Sequence, residues 1–157
     1  MVPSLSTRRR VPAGLAWAAL LGGVHAVASL YWAAGGTVLL WTLGEDLTQS
    51  LRGREWLLLP VGAVKAFAAA GPWLLARHGW PWRRTTRGLC WLGAVLLVGW
   101  GGANTVVGML VLGAVIEPGE VNRAGMIGHA FVWDPLFLAW GVCLAVGLFA
   151  SRARGPR

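Results

Sequence analysis

Apolar residues along this chain fall into four long runs, and each run is broken by only a few polar side chains. The clearest lies between Arg87 and Glu117, where 29 residues, Gly88 to Ile116, carry no charge. At about 1.5 Å per residue, a helix of that length passes the ~30 Å hydrocarbon core of a bilayer. The other runs cover about 13–34, 56–76 and 126–150. Lipid leaves no partner for unpaired backbone groups, so runs of this length predict transmembrane helices.

The breaks between runs predict the connections. Gly35-Gly36 ends the first helix, and Thr37 to Ser50, apolar early and acidic at Glu45-Asp46, reads as an outer loop with a short interfacial helix. Pro60 falls near the start of the second helix, where a missing N–H costs little, and Gly71-Pro72 predicts a bend at its inner end. The start of the fourth helix has two readings. Asp134-Pro135 suits a helix opening, with Asp as N-cap and Pro as first helical residue. Alternatively the helix begins near Ala124 and kinks at Pro135, which the apolar stretch Met126 to Trp133 favours. The first run also has two readings: Ala26-Val27-Ala28 resembles a signal-peptide cleavage site, but the run continues through Leu30-Tyr31-Trp32, which favours a retained helix.

Composition agrees with the pattern. The chain of 157 residues is 56% hydrophobic and 13% charged, against roughly 25% charged in an ordinary soluble domain. Eleven Trp and 23 Gly suit interfacial anchoring and close helix approach. The net charge of +8 is placed for orientation rather than for nucleic acid. The arm 1–12, the central loop and the tail 152–157 hold three, four and three arginines and no acid. The two other loops hold Arg52, Arg54 and Arg123 against Glu45, Asp46, Glu55, Glu117 and Glu120, a net of −2. The fold class that follows is all-α, an integral four-helix membrane bundle over 13–151 in the cell membrane, with both termini cytoplasmic. Its surroundings are the lipid bilayer, and no nucleic-acid partner is expected.

Candidate chemistry comes from the polar exceptions. No CxxC, HExxH, Walker loop or zinc spacing occurs, so no metal or cofactor is expected, and Cys90 and Cys143 lie at different depths. His25, Ser29 and Trp32 stand at i, i+4 and i+7, and His129 and Trp133 at i, i+4, so each set shares a helix face. Lys65 lies near the middle of its span, where a charge costs about 2.5–3.5 kcal/mol, and Asp134 is the acid placed to neutralise it. Asn104 reads as interhelical hydrogen bonding. A His25/His129 ligand pair is disfavoured by their difference in depth. These residues predict an outward-facing polar pocket of His25, Ser29, Lys65, Asn104, His129 and Asp134, rimmed by Tyr31, Trp32 and Trp133. It would hold a small polar or lipid-like ligand. The alternative is a scaffold or accessory subunit, meeting a second copy or a membrane partner through the Gly-rich third helix with its Gly99/Ala103 pair. An enzyme acting on a lipid or isoprenoid ranks third, because no nucleophile–base–orienter set is present.

The segments His25-Ala26, Tyr31-Trp32-Ala33-Ala34-Gly35-Gly36 and Gly128-His129-Ala130-Phe131-Val132-Trp133-Asp134-Pro135, with Phe137-Leu138 and Trp140-Gly141, resemble small bacterial membrane proteins of the domain of unknown function 3995 family. The resemblance covers roughly 13–150. It implies a four-helix membrane protein and groups His25, Trp32, Trp133 and Asp134 as one constellation. It implies no catalytic assignment.

Overall fold

The computed structural model describes residues 11–116, 119 and 122–152. The arginines of the N-terminal arm, Glu117, Glu120 and the tail beyond Arg152, all used for orientation above, lie outside the described residues.

Helix α1 spans Ala13–Ala33 and closes with Ala34 and Gly35 N–H groups bonded back to Leu30 and Trp32 carbonyls. Gly35 adopts φ +86°, a value that favours glycine. A 3₁₀ turn, Leu40–Leu43, leads into the short helix α2, Glu45–Leu51, whose first turn carries Glu45 and Asp46. These form the short helix expected in this connection. A second 3₁₀ turn, Glu55–Leu57, opens onto α3, Leu58–Arg77, which runs unbroken through Pro72.

Helix α4 is Arg83–Leu112, longer at its basic end and shorter at the other than the uncharged run implies. Arg83, Arg84 and Arg87 therefore stand on the first two turns of a helix rather than in a loop. Helix α5, Arg123–Gly128, is capped by Asn122, whose Oδ1 accepts from Gly125 N at 2.9 Å. A π-helical turn, His129–Trp133, joins it to α6, Asp134–Ala150. The fourth span is thus one helical path from Arg123, and Asp134, with helical φ −75° and ψ −39°, is not its N-cap.

Four of these segments, Ala13–Ala33, Glu55–Arg77, Arg83–Leu112 and Arg123–Ala150, are long and apolar enough to cross a membrane. Large apolar side chains such as Val64, Phe67, Val95 and Leu96 point away from the protein. A surface of that kind is stable against lipid rather than water.

Antiparallel packing follows from small residues at the crossings. A Cβ on Gly14 would stand 2.7 Å from Gly147 N, and one on Gly101 would stand 2.5 Å from Leu138 N. These backbones approach as closely as only glycine allows. α1 packs along both α3 and α6, and α4 packs along α6, whereas α3 and α4 share no interface of comparable extent among the described residues. The helices therefore stand in the order α3, α1, α6, α4. The apolar core, with Leu15, Ala18, Ala69, Cys90, Ala94, Trp140, Leu144 and Leu148, fills the half nearer the basic ends. His25, Ser29, Lys65, His129 and Asp134 occupy the other half, beneath the Leu40–Leu43 turn and α2.

Candidate functional site

The expected single pocket resolves into two clusters on adjacent faces of the fourth span, and the π turn is the reason. Asp134 N–H bonds to His129 O, five residues back, instead of four. In an α-helix, residues five apart point about 140° away from each other, whereas the wider turn brings them toward one side. His129 Nδ1 accordingly meets Asp134 Oδ2 at 3.3 Å, with Asp134 buried and His129 half-exposed. Trp133, expected on the same face as His129, turns instead toward α1. Pro135 follows directly, and its missing N–H removes one helical bond at this point in any case.

The first cluster lies between α1, α3 and α6. His25 is buried, and its Nε2 donates to Trp133 O at 3.1 Å, a bond to a carbonyl that places the proton on Nε2. Its ring stacks on Phe137 at 3.8 Å. Lys65 Nζ donates to Ser29 Oγ at 3.0 Å and stands 5.5 Å from the centre of the Phe137 ring. This corrects the expected Lys65–Asp134 ion pair: the ammonium is answered by a hydroxyl and an aromatic face, and no carboxylate among the described residues pairs with it. His25, Ser29 and Trp32 do share the buried face of α1, as their spacing implied.

The aromatic residues expected to rim the polar pocket do something else. Trp133 Nε1 donates to Thr42 Oγ1 at 2.8 Å, and Thr42 in turn donates to Leu39 O. Trp32 Nε1 donates to Val38 O at 2.9 Å, and Tyr31 Oη accepts from Val38 N at 3.3 Å. Together they tie the segment Val38–Thr42 over the bundle. Tyr31, Trp32 and Trp133 line an apolar groove of about 760 Å³ along α1, with Leu20, Val24 and Val27, away from the polar cluster.

The second cluster lines a cavity of about 410 Å³ between α2, α4, α5 and the π turn. Its walls include Asp134, His129, Asn104, Asp46, Asn122 and Trp100, and among the described lining residues there is no lysine or arginine. Asn104 is not the interhelical bridge expected of it. Its Nδ2 donates to Trp100 O, 2.9 Å away on its own helix.

Sequence reasoning missed several residues. Asp46 reads only as a loop charge, and Asn122 and Thr42 carry no signal at all. Arg87 reads in the sequence only as one of the four arginines of the basic loop. It is buried, its Nη1 donating to Ser151 Oγ and its Nη2 to Leu148 O at 2.7 Å, with Trp80 stacked 4.9 Å from the guanidinium carbon. Among the described residues no three His, Cys, Asp or Glu side chains converge to hold a metal ion. Cys90 and Cys143 are free thiols.

No curated protein and no solved structure matches the chain. A family comparison matches residues 13–144 to the family described as Protein of unknown function (DUF3995). With three of the four apolar helices, most of the fourth and the His25–Trp133 junction inside the matched region, the chain belongs to the DUF3995 family of proteins of unknown function.

Proposed function

We propose that this protein is a ligand-binding membrane protein and that its site is the cavity over Asp134. In this reading both termini are cytoplasmic and the cavity opens to the outside, an orientation that the arginine distribution supports. The observation that carries it is a deeply buried carboxylate at a cavity wall. Asp134 uses one oxygen on His129, while Asp46, Asn104 and Asn122 add polar groups around the same space. A buried carboxylate is stable only when its lone pairs are satisfied, and a positively charged ligand satisfies them best. The ligand is therefore a small group bearing a cation. Lys65, His25 and Ser29 belong to the neighbouring cluster that holds α1, α3 and α6 together.

The test is thermal unfolding of the protein in neutral detergent with added ethanolamine, against Asp134→Asn. A rise in melting temperature for the wild type that vanishes in the variant is expected. Equal rises in both, or none in either, would remove the reading.

A second reading is a contact with another copy or a membrane partner through α4. It is favoured by Gly88, Gly93 and Gly99, which have nothing packed against them within 4 Å. Chemical crosslinking in membranes would show a discrete dimer or a heteromeric adduct.

A further inference from the structure

Resting on that reading of the cavity, we infer that its ligand is an amine-bearing phospholipid of the surrounding bilayer rather than a free soluble amine. Two independent features point there. The first is the acceptor set. Asp134 is buried, and apart from the His129 contact its carboxylate has no hydrogen-bond partner among the described residues. Asn104 spends its Nδ2 on Trp100 O, and its Oδ1 has no bond among the described residues. With the carboxylate of Asp46 these give three acceptors around one space. A primary ammonium carries three N–H donors and suits such a set, whereas a quaternary ammonium carries none. Asn122 Oδ1 accepts from Gly125 N–H, which leaves its amide N–H groups, with the imidazole of His129, to face a phosphate.

The second feature is the wall that is not polar. Trp100, Asn104 and Val107 are i, i+4 and i+7 on α4 and all line the cavity. Trp100 is 66% exposed and Val107 49%, on a helix long and apolar enough to cross the bilayer. Leu47 on α2, 45% exposed, continues this side. The cavity gathers its polar groups at Asp134, His129, Asn104, Asn122 and Asp46, is otherwise walled by apolar residues, and borders the exposed apolar face of α4. A volume of about 410 Å³ takes a headgroup and not a whole lipid, so the chains must leave along Trp100 and Val107. A lipid lying along that surface reaches the cavity with its headgroup while its chains stay in hydrocarbon, which a soluble amine has no means to do.

The experiment is native mass spectrometry of the full chain in neutral detergent, titrated with palmitoyl-oleoyl phosphatidylethanolamine or with the phosphatidylglycerol of the same chains. One retained phosphatidylethanolamine per protein is expected, with weaker retention of phosphatidylglycerol. Asp134→Asn should bind at least roughly tenfold more weakly, the loss of one charge-assisted hydrogen bond. Asp46→Asn, at an exposed position, should weaken retention in the same direction, with the melting temperature of the lipid-free protein as the check on folding. Equal retention of the two lipids, or retention unchanged in Asp46→Asn, overturns the inference. If ethanolamine raises the melting temperature while phosphatidylethanolamine is not preferred, the lipid assignment falls and the cavity reading stands. If neither binds, both fall.

Discussion

Lys65 Nζ donates to Ser29 Oγ over 3.0 Å, joining α3 to α1 by an ammonium and a hydroxyl where a carboxylate would have answered the charge. Residues in direct contact couple by about 0.5–3 kcal/mol, and separated ones add. A double-mutant cycle of Lys65→Met with Ser29→Ala, read by unfolding in mixed micelles, should give coupling in that range. The cycle of Lys65→Met with Asp134→Asn should give a smaller value. A larger coupling in the second cycle would restore the ion pair that the structure replaces.

The pairing of His129 with Asp134 depends on a helical turn one residue wider than α. His129→Ala leaves the buried carboxylate without its partner and should cost about 1–3 kcal/mol, with Asp134→Asn in the same chain recovering part of it. Deleting Phe131 should close the turn to α geometry with Asp134 N–H still on His129 O, now four residues back, so that Trp133 keeps its place against Thr42 and His25. Deleting Val142, in regular α-helix, should instead rotate everything beyond it by roughly 100°. The yield of monodisperse protein in gel filtration should fall sharply only for the second deletion, and a sharp fall for the first would mean that the wide turn itself is needed.

Arg87 ties the first turns of α4 to the last turn of α6 through Ser151 and the Leu148 carbonyl. Charge-assisted hydrogen bonds of this kind contribute about 1.5–3 kcal/mol each in favourable surroundings, so Arg87→Ala should lower the unfolding free energy by roughly 2–3 kcal/mol. Lysine keeps the charge but not the two-pronged geometry, and Arg87→Lys should recover only part of the loss. Equal stability of the alanine and lysine variants would count against the bonds.

Glycines on α4 divide by face. A Cβ at Gly101 meets Leu138 N at 2.5 Å and Asp134 O at 2.7 Å, and backbone cannot step aside cheaply. Gly101→Ala should cost about 1–3 kcal/mol, in the range of overpacked cores. Gly99 has open space around it, so Gly99→Ala should be neutral for the isolated chain or stabilise the helix by a few tenths to about 1 kcal/mol. Loss of a crosslinked dimer in Gly99→Leu, with monomer stability intact, would assign that face to a partner.

Much of the architecture was legible in the four apolar runs. A bilayer demands about 20 residues of hydrocarbon-compatible helix with every backbone group paired, and composition alone shows where those lie. The face shared by His25, Ser29 and Trp32 was legible too, because α1 is regular and its spacing can be counted. The fourth span was harder. Counting at 3.6 residues per turn put His129 beside Trp133, and the wider turn before Pro135 made that count wrong by one residue. Asn104 shows another limit: an amide in a span needs a hydrogen bond, but a carbonyl one turn back on the same helix serves as well as a neighbouring helix.

By itself, then, the sequence determined that this chain forms four membrane-crossing helices, because hydropathy and length act locally and do not depend on partners. Only the tertiary structure decided which polar group answers which. Lys65 found Ser29 because α3 lies against α1, and Asp134 found His129 because one turn opened from α to π. Both depend on the order and pitch of packed helices, and neither is written in the run of apolar residues that brought those helices into the membrane.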